Sequence, residues 1–113
     1  MDGSLTILKK RQDFLACNKG RRQVTAGFVL LGRPRRDGSD AIRVGFTCSK
    51  KLGNAVARNR AKRRLREVAR LGLPNNGQAG WDYVLIGRPE ATVSRDFASM
   101  QTDLSRALNV LHP

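Results

Sequence analysis

The sequence contains few of the residues that enzymes use for acid–base and metal chemistry. Among its 113 residues are one histidine, two cysteines and nine acidic residues. The histidine, His112, stands next to the last residue, where we expect an exposed tail side chain, and the acids are dispersed along the chain. The composition therefore supports neither a histidine-based acid–base pair nor a carboxylate cluster for two metal ions. It argues against a protein that performs catalysis by itself.

Cysteine pairs and long apolar runs are also missing. Cys17 and Cys48 are far apart and form no CxxC pattern, so we expect two free thiols in a reducing cytoplasm rather than a zinc site. No apolar run is long enough to span a bilayer, and the first residues lack the apolar core of a signal peptide. We therefore expect a cytoplasmic protein that does not act at a membrane.

The scarcity of acids leaves a large excess of positive charge. The chain has 22 Lys and Arg, which gives a formal net charge of +13. Because so much like charge opposes compaction of a small domain, it indicates a polyanionic partner. Nucleic acid is favoured over an anionic membrane surface, since no amphipathic basic helix carries aromatic anchors on its apolar side.

Chain length and hydrophobic patterning predict one domain over residues 1–113, with residues 1–6 flexible. Helical and strand-like segments alternate, which favours helices packed on a small mixed sheet. The first two strands are expected to form an antiparallel hairpin. The predicted elements are a helix over 11–20, a strand over 24–32 that breaks near Gly27, a strand over 41–49, a helix over 54–71, a loop over 72–80, a strand over 81–88 and a helix over 92–111 capped by Thr92 or Ser94.

The stretch KKLGNAVARNRAKRRLREVAR, residues 50–70, holds nine Lys or Arg and a single acid, Glu67. An ordinary solvated helix would mix charges of both signs at a spacing of four residues. The guanidinium group suits bidentate contact with phosphate, and the segment follows a strand rather than a helix-turn-helix partner, so RNA is favoured over DNA. The side of the helical wheel expected to dock on the sheet consists of Ala57, Ala61, Leu65, Val68 and Ala69.

The run RVGFTCSKKLGNAVARNRAKRRLRE closely resembles the protein subunit of bacterial ribonuclease P. That family carries an Arg-Asn-Arg signature in this setting, which is matched here by residues 58–60. Asp13 and Phe14 in the upstream helix and the downstream strand DYVLIGR agree with the family in order and spacing. The resemblance therefore covers nearly the whole chain.

This resemblance implies an α+β fold, a two-layer α/β sandwich in the order α-β-β-β-α-β-α. Its small mixed sheet would have four strands, with a left-handed βαβ crossover that departs from the usual hand. The implied partners are the ribonuclease P RNA and precursor tRNA, with no obligatory protein partner evident. The RNA, with its bound Mg²⁺, would remove the 5′ leader, and the protein alone would hold no cofactor.

The resemblance also implies two RNA-binding sites. One contacts the catalytic RNA, and the other is a cleft between the first helix and the sheet that holds the single-stranded leader. Asn18 and Leu31 occupy cleft positions where the family often has aromatic residues, and for Arg43 a solvated edge position is an equal alternative. The predicted catalytic-RNA contacts are Lys51, Asn54, Arg58, Asn59, Arg60, Lys62 and Arg63, with Arg64 and Arg66 as weaker additions. The predicted leader contacts are Phe14, Leu31, Arg43, Thr47, Ser49, Lys50 and Arg88.

Two other classes of protein are the alternatives to this reading. A small basic ribosomal protein would bind RNA but would need no substrate cleft. A nuclease active by itself would need catalytic side chains that the sequence hardly supplies.

Overall fold

The computed structural model describes residues 5–112. The sheet is covered on one face by two long helices and on the other by one short helix. The elements in chain order are β1 (Leu5–Ile7), α1 (Arg11–Cys17), β2 (Arg21–Val24), β3 (Phe28–Pro34), β4 (Ile42–Thr47), a 3₁₀ turn (Lys50–Leu52), α2 (Ala55–Asn76), β5 (Trp81–Gly87), α3 (Ala91–Ser94) and α4 (Phe97–Leu111).

The sheet has the order β1-β4-β5-β3-β2, so β5 is its central strand. β5 runs parallel to β4 and antiparallel to β3, and α2 makes the crossover between β4 and β5. The predicted hairpin of β3 and β4 is therefore wrong. β5 is apolar at nearly every position, so it is more stable between the two strands than at an edge.

The sheet has five strands where the resemblance implied four. The strand predicted over 24–32 breaks before Phe28, as expected, because Thr25 closes a turn by donating its backbone N–H to the Phe28 carbonyl at 2.8 Å. The fifth strand is β1, which pairs in parallel with the start of β4. Residues 1–4 of the segment expected to be flexible lie outside the described residues, whereas Leu5 and Thr6 belong to β1.

Two apolar clusters hold the layers together. The larger one lies between the sheet and helices α2 and α4, and the smaller one lies beneath α1. The larger cluster includes Phe28, Leu30, Val44, Leu65, Leu73, Tyr83, Leu85, Met100, Leu104 and Leu108. The smaller cluster consists of Leu8, Cys17, Val29, Leu31 and Val84, with Phe14 and Ile86 packed against it.

Helix α2 extends into the segment predicted as a loop over 72–80 and ends at Asn76. Pro74 lies inside its last turns, where proline removes a backbone hydrogen bond. Two contacts hold this part of the helix in place. Leu73 is fully buried, and a Cβ on Gly72 would lie 2.7 Å from Leu104 Cδ2. The packing of α2 on α4 therefore overrides the turn-forming composition of this segment.

The last helix begins later than predicted, and neither expected residue caps it. Asp96 is the N-cap and accepts the Ser99 N–H at 3.0 Å. Ser94 ends the short helix α3. Thr92 is buried, and its hydroxyl donates to the Gly27 carbonyl at 2.6 Å. Thr92 therefore fastens α3 to the turn before β3 instead of starting α4.

His112 is not the exposed tail residue that the sequence suggested. Its Nε2 lies 2.6 Å from the Tyr83 hydroxyl, and its ring meets Trp81 edge to face at a centroid distance of 4.3 Å. Burial raises the pKa of Tyr83 to about 12. Burial, followed by the charge of Arg21, lowers the pKa of His112. His112 thus closes the end of the core beside β5.

A buried carboxylate joins three strands at the end of the sheet where β4 and β5 begin. Asp82 on β5 is fully buried and accepts two hydrogen bonds of 2.7 Å from Arg43 on β4. Arg35 and Arg33, at the end of β3, contact the same carboxylate at 3.0 and 3.4 Å. The register makes this possible, because Arg33, Asp82 and Arg43 are cross-strand neighbours. A charge in the protein interior is tolerated only when it is paired in this way.

We expect Asp82→Ala to destabilise the fold strongly. Removing one partner from a buried ion pair costs about 3–5 kcal/mol, since the remaining charges lose their compensation. Urea unfolding of the whole chain would measure the loss, with Glu67→Gln, in the exposed pair with Arg70, as the control. An Asp82→Ala variant as stable as the control would contradict the role given to this carboxylate.

Candidate nucleic-acid interface

The side of α2 that packs on the sheet is built from small and apolar residues. Ala61, Leu65, Val68, Ala69 and Leu73 are all fully buried. Successive side chains are about 100° apart around a helix, so the remaining residues divide into a side opposite the sheet and two flanks. The basic side chains on these three surfaces differ in their exposure to solvent and in the protein groups that they contact.

The side of α2 opposite the sheet, here called the outer face, consists of Val56, Asn59, Arg60 and Arg63. All four are exposed, and they line a shallow groove of about 300 Å³. No acid shares this face of the helix with them except Glu67, which is paired with Arg70. Like charges at helical spacing repel one another, so the outer face favours binding of an extended anion.

The flank of α2 that lies beside β4 carries three further basic residues. The Arg66 guanidinium lies 6.0 Å from the ring centroid of Phe46, within cation–π range. Lys62 lies near Cys48, where burial raises the pKa of the thiol and the lysine charge opposes that rise. Arg58 is half-buried. These charges are therefore directed along the β4 side of the helix rather than away from the sheet.

Arg64, on the other flank of α2, forms hydrogen bonds within the protein. It donates to the Val93 carbonyl and, at 2.5 Å, to the Arg95 carbonyl. Its guanidinium also lies 5.9 Å from the Phe97 ring centroid. Arg64 thus ties α2 to α3 and to the residue that follows it. The sequence could not distinguish this arginine from its neighbours, because only the tertiary structure supplies the carbonyl partners.

The turn that leads into α2 contains two kinds of residue. Some have side chains that hydrogen-bond to the backbone of the turn, and others have side chains that extend into solvent. Ser49 accepts the Lys51 N–H at 3.4 Å, and Asn54 caps α2 by accepting the Ala57 N–H at 2.9 Å. Gly53 between them has φ of 123°, which favours glycine. The side chains of Lys50 and Lys51 remain exposed. Ser49 and Asn54 therefore hold this turn and position the two lysines, in addition to the RNA contacts that the resemblance implies for all four residues.

The second predicted site lies at the edge of the sheet where the parallel strands β4 and β5 end. Their carboxyl ends place Thr47, Lys50 and Arg88 at that edge, beside the turn that precedes β3. Arg88 donates to the Thr25 carbonyl in this turn. β3 and β2 lie beside β5 in the sheet, so the surface at this edge is four strands wide.

The floor of this second site is a row of side chains that α1 leaves partly open. The cross-strand register aligns Thr47, Ile86, Val29 and Val24. Phe14 borders the row from α1, and a Cβ on Gly45 would lie 2.4 Å from its ring. We call this row, together with Phe14, the cleft. Sequence reasoning did not select Ile86 or Val24, since an apolar residue in a strand usually indicates core rather than a binding surface.

Two predicted leader contacts lie away from the open part of the cleft. Leu31 is buried beneath α1. Arg43 is neither a solvated edge residue nor free, because Asp82 and Asp13 hold it. Arg43 is also four residues before Thr47 on the same strand, a distance of about 13 Å. The structure therefore brings together Phe14, Thr47, Ser49, Lys50 and Arg88, and leaves Leu31 and Arg43 as supports.

Within residues 5–112, no group of three or more His, Cys, Asp or Glu side chains could hold a metal ion. Over the same residues, no helix is long and apolar enough to cross a membrane. Cys17 and Cys48 are free thiols.

The fold and its charged surfaces define a basic RNA-binding domain of the α+β class. The family model described as Ribonuclease P matches residues 4–112. The chain belongs to the ribonuclease P protein family. It is 60% identical over 110 residues to the ribonuclease P protein component of Ruegeria pomeroyi, a match that covers 96% of this chain and 87% of the relative. The corresponding protein of Paramagnetospirillum magneticum is 46% identical over 112 residues, covering 96% and 84% of the two chains.

Solved structures agree with this assignment. The RNase P protein of Staphylococcus aureus superimposes with a TM-score of 0.75 at 30% identity and 94% coverage of both chains. The protein from Thermotoga maritima gives a TM-score of 0.70 at 34% identity, covering 92% of this chain and 93% of that one. The predicted mixed α+β fold and the family are confirmed. The comparisons do not support the alternative of a ribosomal protein.

We expect Arg64→Ala to weaken the fold and its neighbour Arg63→Ala to leave it almost unchanged. Loss of hydrogen bonds from a charged donor costs about 2 kcal/mol, whereas an exposed substitution changes stability by less than about 0.5 kcal/mol. Urea unfolding of both variants measures the difference. Equal stability of the two variants would show that the carbonyl contacts of Arg64 do not matter.

Proposed function

We propose that this chain binds the RNA subunit of ribonuclease P through α2 and the leader of precursor tRNA through the cleft. The hydrolysis that removes the leader would be performed by the RNA with the Mg²⁺ that it holds. The observation that carries the proposal is the outer face of α2, where Asn59, Arg60 and Arg63 are exposed and Glu67, the one acid of this helix, is paired with Arg70. The family of the chain supplies the identity of the RNA.

The outer face suits a folded RNA backbone. Guanidinium groups donate paired hydrogen bonds to phosphate, and each neutralised phosphate releases condensed counterions. Asn59, between the signature arginines Arg58 and Arg60, can both donate and accept, which suits a base edge or a ribose hydroxyl. Lys62 and Arg66 extend the positive charge along the β4 flank, and Lys51 adds charge in the turn before the helix. A helix fixed to the sheet presents these groups without a large loss of backbone conformational freedom on binding.

The cleft suits a single strand. Phe14 offers one ring for base stacking, Thr47 and Ser49 offer hydroxyl groups, and Lys50 and Arg88 provide charge for the backbone. Asn18 and Leu31 are not aromatic, and Leu31 is also buried, so neither supplies a second stacking platform. Each stacked base contributes about 1–3 kcal/mol. We therefore propose that leader affinity in this protein depends more on charge than on stacking.

The protein's part in the reaction is to bind and orient RNA. It would neutralise phosphates that would otherwise repel one another and so reduce the Mg²⁺ concentration that the RNA needs. No cofactor of its own is assigned to it. We place this activity in the cytoplasm, and the free thiols of Cys17 and Cys48 agree with a reducing compartment.

The experiment that tests this proposal is reconstitution of cleavage from the protein, ribonuclease P RNA and precursor tRNA. Wild-type protein should lower the Mg²⁺ concentration required for cleavage. Arg58→Ala with Arg60→Ala should lose this effect at the same protein concentration, while Phe14→Ala should keep it. Phe14→Ala should instead weaken binding of precursor tRNA about tenfold, with little change for mature tRNA.

A control variant removes two positive charges elsewhere, through Lys10→Ala at the start of α1 and Arg106→Ala on α4. Its Mg²⁺ requirement should stay near that of the wild type. The assignment of α2 would be contradicted if the control and the Arg58 and Arg60 variant behaved alike. Equal losses for precursor and mature tRNA with Phe14→Ala would contradict the cleft.

A further inference from the structure

A groove lies on the side of α1 away from the cleft, between this helix and the end of β3. It has a volume of about 530 Å³. We propose that it binds a nucleotide within a single-stranded segment of RNA, an inference that rests on the proposed function because it assumes an RNA partner. The lining residues are Gln12, Leu15, Ala16, Lys19, Gly20, Arg33 and Pro34.

Helical geometry separates this groove from the cleft. Phe14 and Asn18 are four residues apart and share one side of α1, whereas Gln12, Ala16 and Lys19 share the opposite side. α1 is about 10 Å in diameter with its side chains, so it forms a wall between the two sites. The groove is therefore a separate site and not part of the cleft floor.

The chain makes a close approach at the bottom of this groove. A Cβ on Gly20 would lie 2.2 Å from the Gly32 carbonyl oxygen, so only glycine fits where α1 leads into β2. This contact holds the end of α1 against β3, and Arg33 and Pro34 continue β3 beyond it. The position of the groove is thus set by backbone packing and does not depend on a flexible loop.

The lining has the two properties that a nucleotide requires. Leu15, which is 48% exposed, forms an apolar surface with Ala16 and Pro34 on which a base can lie. Lys19 and Arg33 supply positive charge, and no carboxylate belongs to the lining. Gln12 carries an amide that can pair with donors and acceptors of a base edge. Sites for single-stranded nucleic acid combine a positive groove with side chains on which bases lie, and here aliphatic side chains take the place of the usual aromatic rings.

Not all N–H groups of the Arg33 guanidinium are held by Asp82. Its Nη2 lies 3.4 Å from Asp82, whereas Arg43 holds the same carboxylate at 2.7 Å. The buried Nε of Arg33 has no hydrogen-bond partner within residues 5–112, and the side chain is 28% exposed. Asp82 is already satisfied by Arg35 and Arg43. A phosphate in the groove would pair with the exposed part of the Arg33 guanidinium.

The test uses the full chain and a single-stranded oligouridylate of about ten nucleotides. Leu15→Ser with Lys19→Ser removes one exposed apolar side chain and one charge, four residues apart on α1. The matched control, Val110→Ser with Arg106→Ser, removes the same two features at the same spacing on α4. The first variant should bind the oligonucleotide about fivefold more weakly than wild type, and the control less than about twofold.

A second measurement separates the groove from the cleft. Adding the oligonucleotide should shift the amide NMR signal of Gly20 in wild type and in Phe14→Ala. Equal affinities of the groove variant and the control, or an unmoved Gly20 signal, would overturn the inference. Displacement of the RNA by an oligoglutamate of the same charge at equal concentration would also overturn it, because an acidic peptide would then be the better occupant.

Two sources of the RNA are distinguished with the reconstituted complex. If the precursor leader fills the groove, the groove variant should lose affinity for precursors with long leaders but not for mature tRNA. If the catalytic RNA fills it, the groove variant should bind ribonuclease P RNA more weakly than wild type, whether precursor or mature tRNA is present. The proposed function fails separately, since in that case wild-type protein would not bind ribonuclease P RNA at all.

Discussion

The structure depends on the close packing of α2 against the sheet. Ala61 and Ala69 are fully buried in this contact beside Leu65 and Val68. Small residues allow the helix to approach the strands closely, and burial of the larger ones stabilises the contact in proportion to the apolar area removed from water. The side of α2 that packs on the sheet is therefore not accessible to a partner. The basic residues of α2 are confined to the outer face and the flanks, where they can contact a partner.

This packing has to hold against the repulsion of a net charge of +13. The protein reduces the repulsion by pairing some of its arginines internally. Arg35, with a side chain only 3% exposed, and Arg43 share the carboxylate of Asp82. Arg95 is paired with Asp103 at 2.8 Å, and Arg64 is bound by backbone carbonyls. The arginines thus include a group that stabilises the fold and a group on the outer face of α2 that is available to RNA.

Much of this arrangement could be predicted from the sequence. The alternation of apolar residues predicted β4 and β5, and the wheel of the basic segment predicted which side of α2 is buried. The hairpin of β3 and β4 could not be corrected from sequence, because the insertion of β5 between them is a non-local pairing. The end of α2 was also missed, since Pro74 and the asparagines favour a turn, and only the burial of Leu73 and the close approach of Gly72 to α4 reverse that preference.

The candidate site was predictable to a smaller extent. The resemblance of the segment over residues 50–70 identified the basic helix as a whole, but it could not separate Arg64 from Arg63, since both are arginines one residue apart. The separation arises from the tertiary positions of Val93 and Arg95. Likewise Arg43 is a strand residue facing a polar side, and its engagement by Asp82 depends on the register between β4 and β5.

The packing of α2 determines which of its arginines face RNA and which contact the protein. The salt dependence of binding to ribonuclease P RNA tests this claim most directly. The slope of the logarithm of the binding constant against the logarithm of salt concentration reports the number of phosphates neutralised. Arg63→Ala should reduce this slope by about one unit, whereas Arg64→Ala should leave it unchanged. Equal reductions for the two variants would contradict the account, because both arginines would then contact RNA regardless of how α2 is seated.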